Sequence, residues 1–375
     1  MHILQISQEF PPNVLGGISY HAYHLARSFV NHGHKVTVLT TSLDKHGHDN
    51  SDFDFGGINV KTVDYPDLPG ARLWFDRAVR SHFRDDSNIE KFDLIHSHEY
   101  IRFDDLSLTP PVILKIHINL ARERDFWTGQ KYNSLLRPFV RGVGERFVWP
   151  RQLNLEHSSM RHSDYRVYIS DLTRRIAESS HDFSDESYTA VHNGVDLNMF
   201  TPSDGDTADD CFLYVGGDAH RKGFPTLVDA VDARGDELDK PIKLVGDFDE
   251  SRPAVQRANE VDQFDVVGRV DQFDLVDLYR RSTALVHPAQ YEPFGNVVLE
   301  SLACGSPVVV SDENHCGAAE IVTDDVGELV SPDDPDALID ALGQVEETTD
   351  PAACRVVAEE HSWENVAEAT LSLVE

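Results

Sequence analysis

The 375-residue chain contains no apolar run of about 18 residues, so the sequence predicts no membrane-spanning helix. It also lacks a charged and apolar leader at its start, where MHILQISQEF reads at once as a strand. Both absences favour a cytoplasmic protein.

Cysteine is scarce and scattered. Cys211, Cys304, Cys316 and Cys354 lie far apart, form no CxxC pair and have small or apolar neighbours. This pattern is typical of buried thiols and disfavours disulfides or a cysteine metal site.

Positive charge is also in short supply, with 33 basic residues against 65 acidic ones and a formal net charge of −32. Such a surface repels phosphate, which disfavours nucleic acid as a partner. The same excess destabilises a compact chain in dilute buffer, whereas molar salt shortens the Debye length to about 3 Å. We therefore hypothesise a salt-adapted cytoplasm.

The length exceeds what one hydrophobic core usually supports, so two domains are expected. The first forty residues read as strand, glycine-containing loop, helix and strand. Further short apolar runs alternate with helix-like stretches, and turn-forming residues at 195–210 predict a linker. The sequence thus predicts an α/β fold of two Rossmann-like doubly wound domains facing across a cleft. We place them at 1–190 and 205–353, with a C-terminal helix at 354–375 packing back toward the first domain.

The segment Tyr291–Val310 (YEPFGNVVLESLACGSPVVV) carries the clearest chemical pattern. Its apolar spacing predicts a helix from about Phe294 to Gly305, followed by a strand. Backbone N–H groups at the helix start are suited to an anion or to sugar hydroxyls. Glu292 precedes this helix and Glu300 lies about two turns into it, so we expect them to serve different parts of one ligand.

This segment resembles the signature of glycosyltransferase family 4, the retaining nucleotide-sugar-dependent enzymes of GT-B fold. Other parts of that pattern occur in order, namely Gly16-Gly17, Ser170, Asn193–Asp196, Val215–Gly217, Arg221–Gly223, Glu320 and Gly327. The resemblance covers nearly the whole chain. It implies a hexose transfer from a nucleoside diphosphate sugar to a glycan, lipid-linked or small-molecule acceptor bound by the first domain.

The resemblance also implies roles for particular residues. Arg221 and Lys222 would reach the donor pyrophosphate, and Glu300 would bind the ribose hydroxyls. The implied catalytic residues are Arg221, Lys222, Glu292 and His117, the last beside the transferred sugar. The implied donor-binding residues are Gly16, Gly17, Phe294, Gly295, Asn296, Val297 and Glu300. No cofactor and no obligatory metal are expected.

Other candidate metal motifs have weak support from the sequence. His96 and His98 at a predicted strand end suit the acceptor better than a metal, because no third or fourth ligand accompanies them. Asp52-Phe-Asp54 and Asp247-Phe-Asp249 are DxD triplets, but a chain this acidic contains about 11 acidic-x-acidic triplets by chance.

Residues 121–166 form a basic island with nine bases against five acids, interleaved with aromatics such as Trp127 and Trp149. Upstream, residues 72–84 predict a helix with arginines on one face and Phe75, Val79 and Phe83 on the other. Such surfaces suit peripheral contact with an anionic membrane or a phosphate-bearing acceptor. The competing interpretation is that the aromatics fill the core and the arginines pair with acids.

Two other functions remain open from the residues alone. A nicotinamide-dependent oxidoreductase is disfavoured because GxGxxG is absent and the first loop reads PPNVLGGIS. A non-catalytic nucleotide-sugar-binding protein is disfavoured by the presence of Glu292, Glu300, Arg221 and Lys222.

Overall fold

A computed structural model describes residues 1–14, 16–42, 55–85, 89, 91–106, 108, 110–129, 144–181, 188–203 and 211–374. The chain divides into two compact units. The first comprises Met1–Ile169, Thr173–Val191 and Val366–Glu375, and the second comprises Ser170–Leu172 and His192–Asn365. Residues 354–365 therefore belong to the second unit, and only the last ten residues belong to the first.

The first unit contains a seven-stranded parallel sheet of order β3-β2-β1-β4-β5-β6-β7. Its strands are β1 (His2–Ile6), β2 (Lys35–Thr41), β3 (Asn59–Val63), β4 (Leu94–Ser97), β5 (Val112–Ile116), β6 (Tyr165–Tyr168) and β7 (Tyr188–Ala190). The helices in this part of the chain are α1 (Gly17–Asn31), α2 (Ala71–Asp85), α3 (Leu120–Gly129), α4 (Trp149–Arg161) and α5 (Asp171–His181). The described residues also include a 3₁₀ turn (Phe103–Asp105) and a π-helical turn (Gly144–Val148).

The second unit contains a six-stranded parallel sheet of order β10-β9-β8-β11-β12-β13. Its strands are β8 (Phe212–Val215), β9 (Ile242–Val245), β10 (Phe264–Gly268), β11 (Ala284–His287), β12 (Val308–Ser311) and β13 (Gly327–Val330). The helices are α6 (Phe224–Arg234), α7 (Pro253–Ala258), α8 (Gln272–Arg281), α9 (Asn296–Ala303), α10 (Pro335–Thr348), α11 (Pro351–Glu360) and α12 (Trp363–Leu371), which crosses the unit boundary. Short 3₁₀ turns lie at His220–Lys222, Gly235–Glu237 and Gly317–Ile321. The predicted pair of doubly wound α/β domains is confirmed.

The helix starts of the second unit follow directly from the sequence. Asp271, Asp334 and Asp350 each accept a hydrogen bond from a first-turn backbone N–H. Two of these helices then continue with proline, which has no N–H to leave unsatisfied at that position. In so acidic a chain, part of the negative charge thus caps helices and complements their dipoles.

The first residues of the predicted linker pack into the second unit. The backbone N–H of Val195 donates to the carbonyl of His361 (2.9 Å), and Phe200 is buried beside Tyr279. Residues 204–210 lie outside the described part of the chain.

Helix α2 is amphipathic as predicted, but its apolar face is not a membrane surface. Phe75, Val79 and Phe83 are buried in a core cluster with strand residues from the first sheet. Arg80 pairs with Asp76 at 3.0 Å, whereas Arg77 is exposed. That part of the membrane-facing interpretation is wrong because the sheet already covers the apolar face.

The basic island is described only in part. Residues 130–143 and the side chain of Trp127 lie outside what the structure describes. Downstream, Phe147 is 51% exposed, and Trp149 packs against a buried cluster of the first unit.

The helices of the described residues include none with the length and apolar composition that a membrane span requires.

Candidate active site

The candidate site of the second unit lies at the carboxyl ends of β8 and β11. These strands are neighbours at the centre of the sheet, where the strand order reverses. In doubly wound sheets this reversal opens a crevice in which ligands bind. The turn His220–Lys222 follows β8, and residues 288–295 connect β11 to α9.

Two cations converge on one carboxylate at this edge of the sheet. Arg221 Nη1 lies 3.3 Å from Glu292 Oε1, and Lys222 Nζ lies 3.3 Å from Glu292 Oε2. Burial alone would raise the pKa of Glu292, but the charges of Lys222 and Arg221 hold it well below its usual range. Two cations around one carboxylate leave a net positive charge, and both cations keep part of their side chains accessible to a ligand.

Backbone hydrogen bonds fix this arrangement. The N–H groups of Gln290 and Tyr291 both donate to the carbonyl of Arg221, at 2.9 and 3.2 Å. Gly223, which follows the cations, has φ +76°, and a Cβ there would lie 1.7 Å from the carbonyl oxygen of Pro288. Only glycine allows this close approach, so the glycine after Arg-Lys is required by the local geometry.

His287 lies behind the carboxylate at the end of β11. It is fully buried, and its Nε2 lies 3.6 Å from Glu292 Oε2, which is a contact and not a hydrogen bond. Burial lowers the pKa of His287. The histidine therefore contributes a neutral wall to the cluster, a role that the sequence did not predict.

Helix α9 begins beside this cluster, two residues later than predicted. Gly295 has φ +108° and precedes the first helical residue, Asn296, whose Oδ1 accepts from Asn193 Nδ2 at 2.8 Å. The carbonyl of Phe294 accepts from Ala318 N at 2.8 Å. The first-turn N–H groups of a helix have no intrahelical acceptor, so those of Asn296 and Val297 remain suited to a ligand.

Glu300 has a partner of its own. Tyr279 on α8 donates its hydroxyl to Glu300 Oε2 at 2.9 Å. Burial raises the pKa of Glu300, and this hydrogen bond and the charge of Lys222 oppose the rise. Glu292 and Glu300 thus have separate partners, as their spacing predicts, and Tyr279 is a positioning residue that the sequence did not reveal.

The remaining predicted site residues lie in the first unit. Gly16 caps α1 in an extended conformation, and Gly17 is its first helical residue. A Cβ at Gly16 would make only an ordinary contact, 3.9 Å from Glu9 Oε2. The protein itself therefore has no steric need for glycine at 16, and the predicted approach of a phosphate there stays a prediction.

His117 follows β5 and is buried in a layer of imidazoles beneath α1. His98 Nδ1 and His117 Nε2 are hydrogen-bonded at 2.9 Å, and the His21 ring stands edge-on to both. His96 packs against His98, with ring centroids 4.6 Å apart. Burial lowers the pKa of His96 to about 3 and lowers those of the other three imidazoles well below their usual range.

The DxD triplets do not form a described metal site. Asp247 pairs with Arg269, and Asp249 accepts from Ser251. Asp52 and Asp54 lie outside the described residues. The four cysteines are buried thiols, as predicted.

Two family models together match nearly the whole chain. The family model described as "Glycosyltransferase Family 4" matches residues 15–199, and "Glycosyl transferases group 1" matches residues 200–373. The chain belongs to the family 4 glycosyltransferases. It is therefore an enzyme, and the oxidoreductase and non-catalytic alternatives are set aside.

Similar proteins support the family assignment along the full length. An uncharacterized glycosyltransferase of Methanocaldococcus jannaschii is 25% identical, covering 100% of this chain and 97% of the relative. Sucrose-phosphate synthase from Thermosynechococcus elongatus has a similar structure, with a TM-score of 0.74, 21% identity and coverage of 100% of this chain and 98% of that one. HepE from Anabaena, in complex with UDP and glucose, gives a TM-score of 0.70 and 18% identity, covering 100% of this chain and 99% of that one. These structures establish the GT-B fold of this glycosyltransferase.

Proposed function

We propose that this glycosyltransferase transfers a hexose from a nucleoside diphosphate sugar, with retention of configuration and without an obligatory metal. The observation that carries the proposal is the convergence of Arg221 and Lys222 on Glu292 beside the start of α9. A diphosphate needs cations and N–H donors in one place, and the second unit supplies both. The binding of UDP and glucose by HepE supports a nucleotide-sugar donor.

The two cations would act where charge develops. When the bond from the sugar C1 to its phosphate oxygen breaks, the electron pair leaves with the β-phosphate. Donors that are already oriented toward that oxygen stabilise the charge without reorganisation. Glu292 holds Arg221 and Lys222 in that orientation, and by the family resemblance its carboxylate also addresses the transferred sugar.

Retention follows from the family resemblance and is proposed as a same-face substitution. The acceptor oxygen forms its bond to C1 on the face from which the phosphate departs. The acceptor proton passes to the departing phosphate oxygen, so no covalent sugar intermediate on the protein is required. His117 would lie beside the transferred sugar, and Gly16 and Gly17 would allow close backbone approach to phosphate.

The acceptor is proposed to be a glycan, a lipid-linked glycan or a small molecule held by the first unit. A cytoplasmic location and a peripheral contact with the inner membrane face belong to the same proposal. The exposed Phe147 supports such a contact, with the exposed Arg146 and Arg151 beside it in the basic island.

Glu300 offers a sharp test of the donor site. Tyr279 occupies Oε2, so Oε1 and the remaining lone pairs are suited to accept from the two ribose hydroxyls. Replacing Glu300 with alanine should weaken nucleoside diphosphate binding by about 1–3 kcal/mol, the range for losing a charge-assisted hydrogen bond. Calorimetry with the free nucleotide measures this loss, and Glu260→Ala, which removes an exposed glutamate of the same unit, should leave binding unchanged.

Deoxynucleotides identify which ligand atoms Glu300 contacts. The wild type should bind the 2′- and 3′-deoxy diphosphates more weakly than the ribonucleotide, whereas the Glu300→Ala variant should no longer distinguish them. Unchanged affinity of the variant for the ribonucleotide, or preserved discrimination, would place Glu300 outside the ribose site.

A further inference from the structure

We propose that His21, His98 and His117 form a site for one divalent transition-metal ion of the Zn²⁺ type. Each residue offers a ring nitrogen, and these three nitrogens all lie within 4.8 Å of one another. The sequence provided no third ligand for the His96-x-His98 pair. The fold supplies two, one from helix α1 and one from the end of β5.

The topology explains why these residues meet. Parallel pairing sets His96 opposite Ile113, so these two side chains lie on one face of the sheet. Because side chains alternate between faces along a strand, His98, Lys115 and His117 continue on that same face. Helix α1 covers that face and contributes His21, whose ring centroid lies 5.2 Å from that of His98 and 4.7 Å from that of His117. The three imidazoles therefore form a triangle at the carboxyl edge of the sheet.

The buried ring nitrogens of these three histidines are better suited to bind a metal than to fill a purely apolar core. Within the described part of the chain, the buried Nε2 of His98 has no hydrogen-bond partner. Leaving a buried polar atom unpaired costs free energy, and a metal would relieve that cost. Imidazole is a preferred ligand of zinc, copper, nickel and iron, and three histidines leave a fourth position for water.

The site needs only a small adjustment to close around an ion. Tetrahedral Zn–N bonds of about 2.0–2.1 Å place ligand nitrogens about 3.3 Å apart. The terminal ring torsion of histidine is broad, so each imidazole can turn a nitrogen toward the ion without leaving a rotamer well. His98 would ligate the ion through its unpaired Nε2, and His117 would exchange its hydrogen bond with His98 Nδ1 for a bond to the ion. The Lys115 ammonium does not take part in this rearrangement, because its Nζ donates to the carbonyl of Val191 at 2.6 Å.

This proposal does not depend on the transfer reaction. His117 can ligate the ion or contact the transferred sugar, and metal binding is measured without any activity assay. Failure of the metal site would leave the donor site of the second unit untouched, and the reverse holds as well.

The test uses the full chain after treatment with a chelator, titrated in molar NaCl with Zn²⁺ by calorimetry and with Co²⁺ by visible absorption. High salt screens the many surface carboxylates, which otherwise bind cations weakly. We expect one ion per chain and a tetrahedral Co²⁺ spectrum. His21→Gln and His98→Gln should each lower the affinity by about 10-fold or more, at least the loss seen on removing an outer-shell partner.

His96→Gln is the matched control, because it removes a buried imidazole of the same layer that is not one of the three ligands. It should retain wild-type affinity. Equal affinity of the wild type and His98→Gln, or no bound ion in the wild type, would overturn the proposal. Should His98→Gln fail to fold, the wild-type Co²⁺ spectrum decides, and octahedral coordination would overturn it.

Discussion

Replacing Lys222 with methionine is expected to lower kcat for nucleoside diphosphate release by about 10²- to 10³-fold, the usual cost of removing one preorganised donor from a developing anion. Methionine keeps the aliphatic stem of the lysine but removes the ammonium that lies 3.3 Å from Glu292. KM should rise less than kcat falls, because the phosphate charge grows toward the transition state. Arg221→Met should behave in the same way.

Both variants keep the backbone carbonyl of Arg221 that accepts from Gln290 and Tyr291. Arg221→Met also removes the hydrogen bond from Nη1 to the carbonyl of Tyr291 (2.8 Å), so Lys222→Met is the cleaner test. Lys240→Met is the control, since Lys240 pairs with Glu346 away from the predicted donor residues. A kcat within threefold of wild type for either Lys222→Met or Arg221→Met would remove the phosphate role.

Replacing Glu292 with glutamine should lower kcat by on the order of 10²-fold, comparable to misplacing a catalytic group by about 1 Å. Glutamine has nearly the same shape, but without the negative charge Arg221 and Lys222 repel each other and lose their common anchor. The backbone contacts of Glu292, from its N–H to the carbonyl of His315 (2.7 Å) and from Gly317 N to its carbonyl (2.9 Å), remain available. The loss should therefore reflect charge and not unfolding.

Glu237→Gln provides the comparison for this substitution. Glu237 pairs with Arg234 on the exposed surface of the same unit, so the same chemical change there should leave kcat unchanged. Steady-state kinetics and thermal unfolding of both variants separate a catalytic effect from a stability effect. An active Glu292→Gln enzyme would mean that the two cations need no anionic anchor.

The sequence alone predicted the local structure where one continuous segment contains both the secondary-structure pattern and the candidate site residues. Residues 291–310 predict the order loop, helix, glycine and strand, and the structure has α9 followed by Gly305 and β12. The helix begins at Asn296 and not at Phe294, because Gly295 adopts a left-handed conformation that ends the extended loop. Periodicity cannot locate such a residue to within one or two positions.

Contacts between residues that are distant in the chain could not be predicted from the sequence. Tyr279 lies 21 residues from Glu300 on another helix, and its neighbours DLYRRS give no signal of a buried hydroxyl. The imidazole layer brings together residues from α1, β4 and β5, and only strand order and register reveal that they share one face. The arginines of α2 looked like a membrane surface because composition alone does not show that the sheet covers the opposite, apolar face.

We propose that the second unit binds a nucleoside diphosphate through Arg221 and Lys222. The direct measurement is calorimetric titration of the wild type and the Arg221→Met/Lys222→Met double variant with a panel of nucleosides, monophosphates and diphosphates in high salt. We expect one base to be preferred, and its diphosphate to bind the wild type more tightly than its monophosphate or nucleoside. This phosphate-dependent gain in affinity should disappear in the double variant. A wild type that binds no member of the panel, or a double variant that keeps the full preference for the diphosphate, would contradict the proposal.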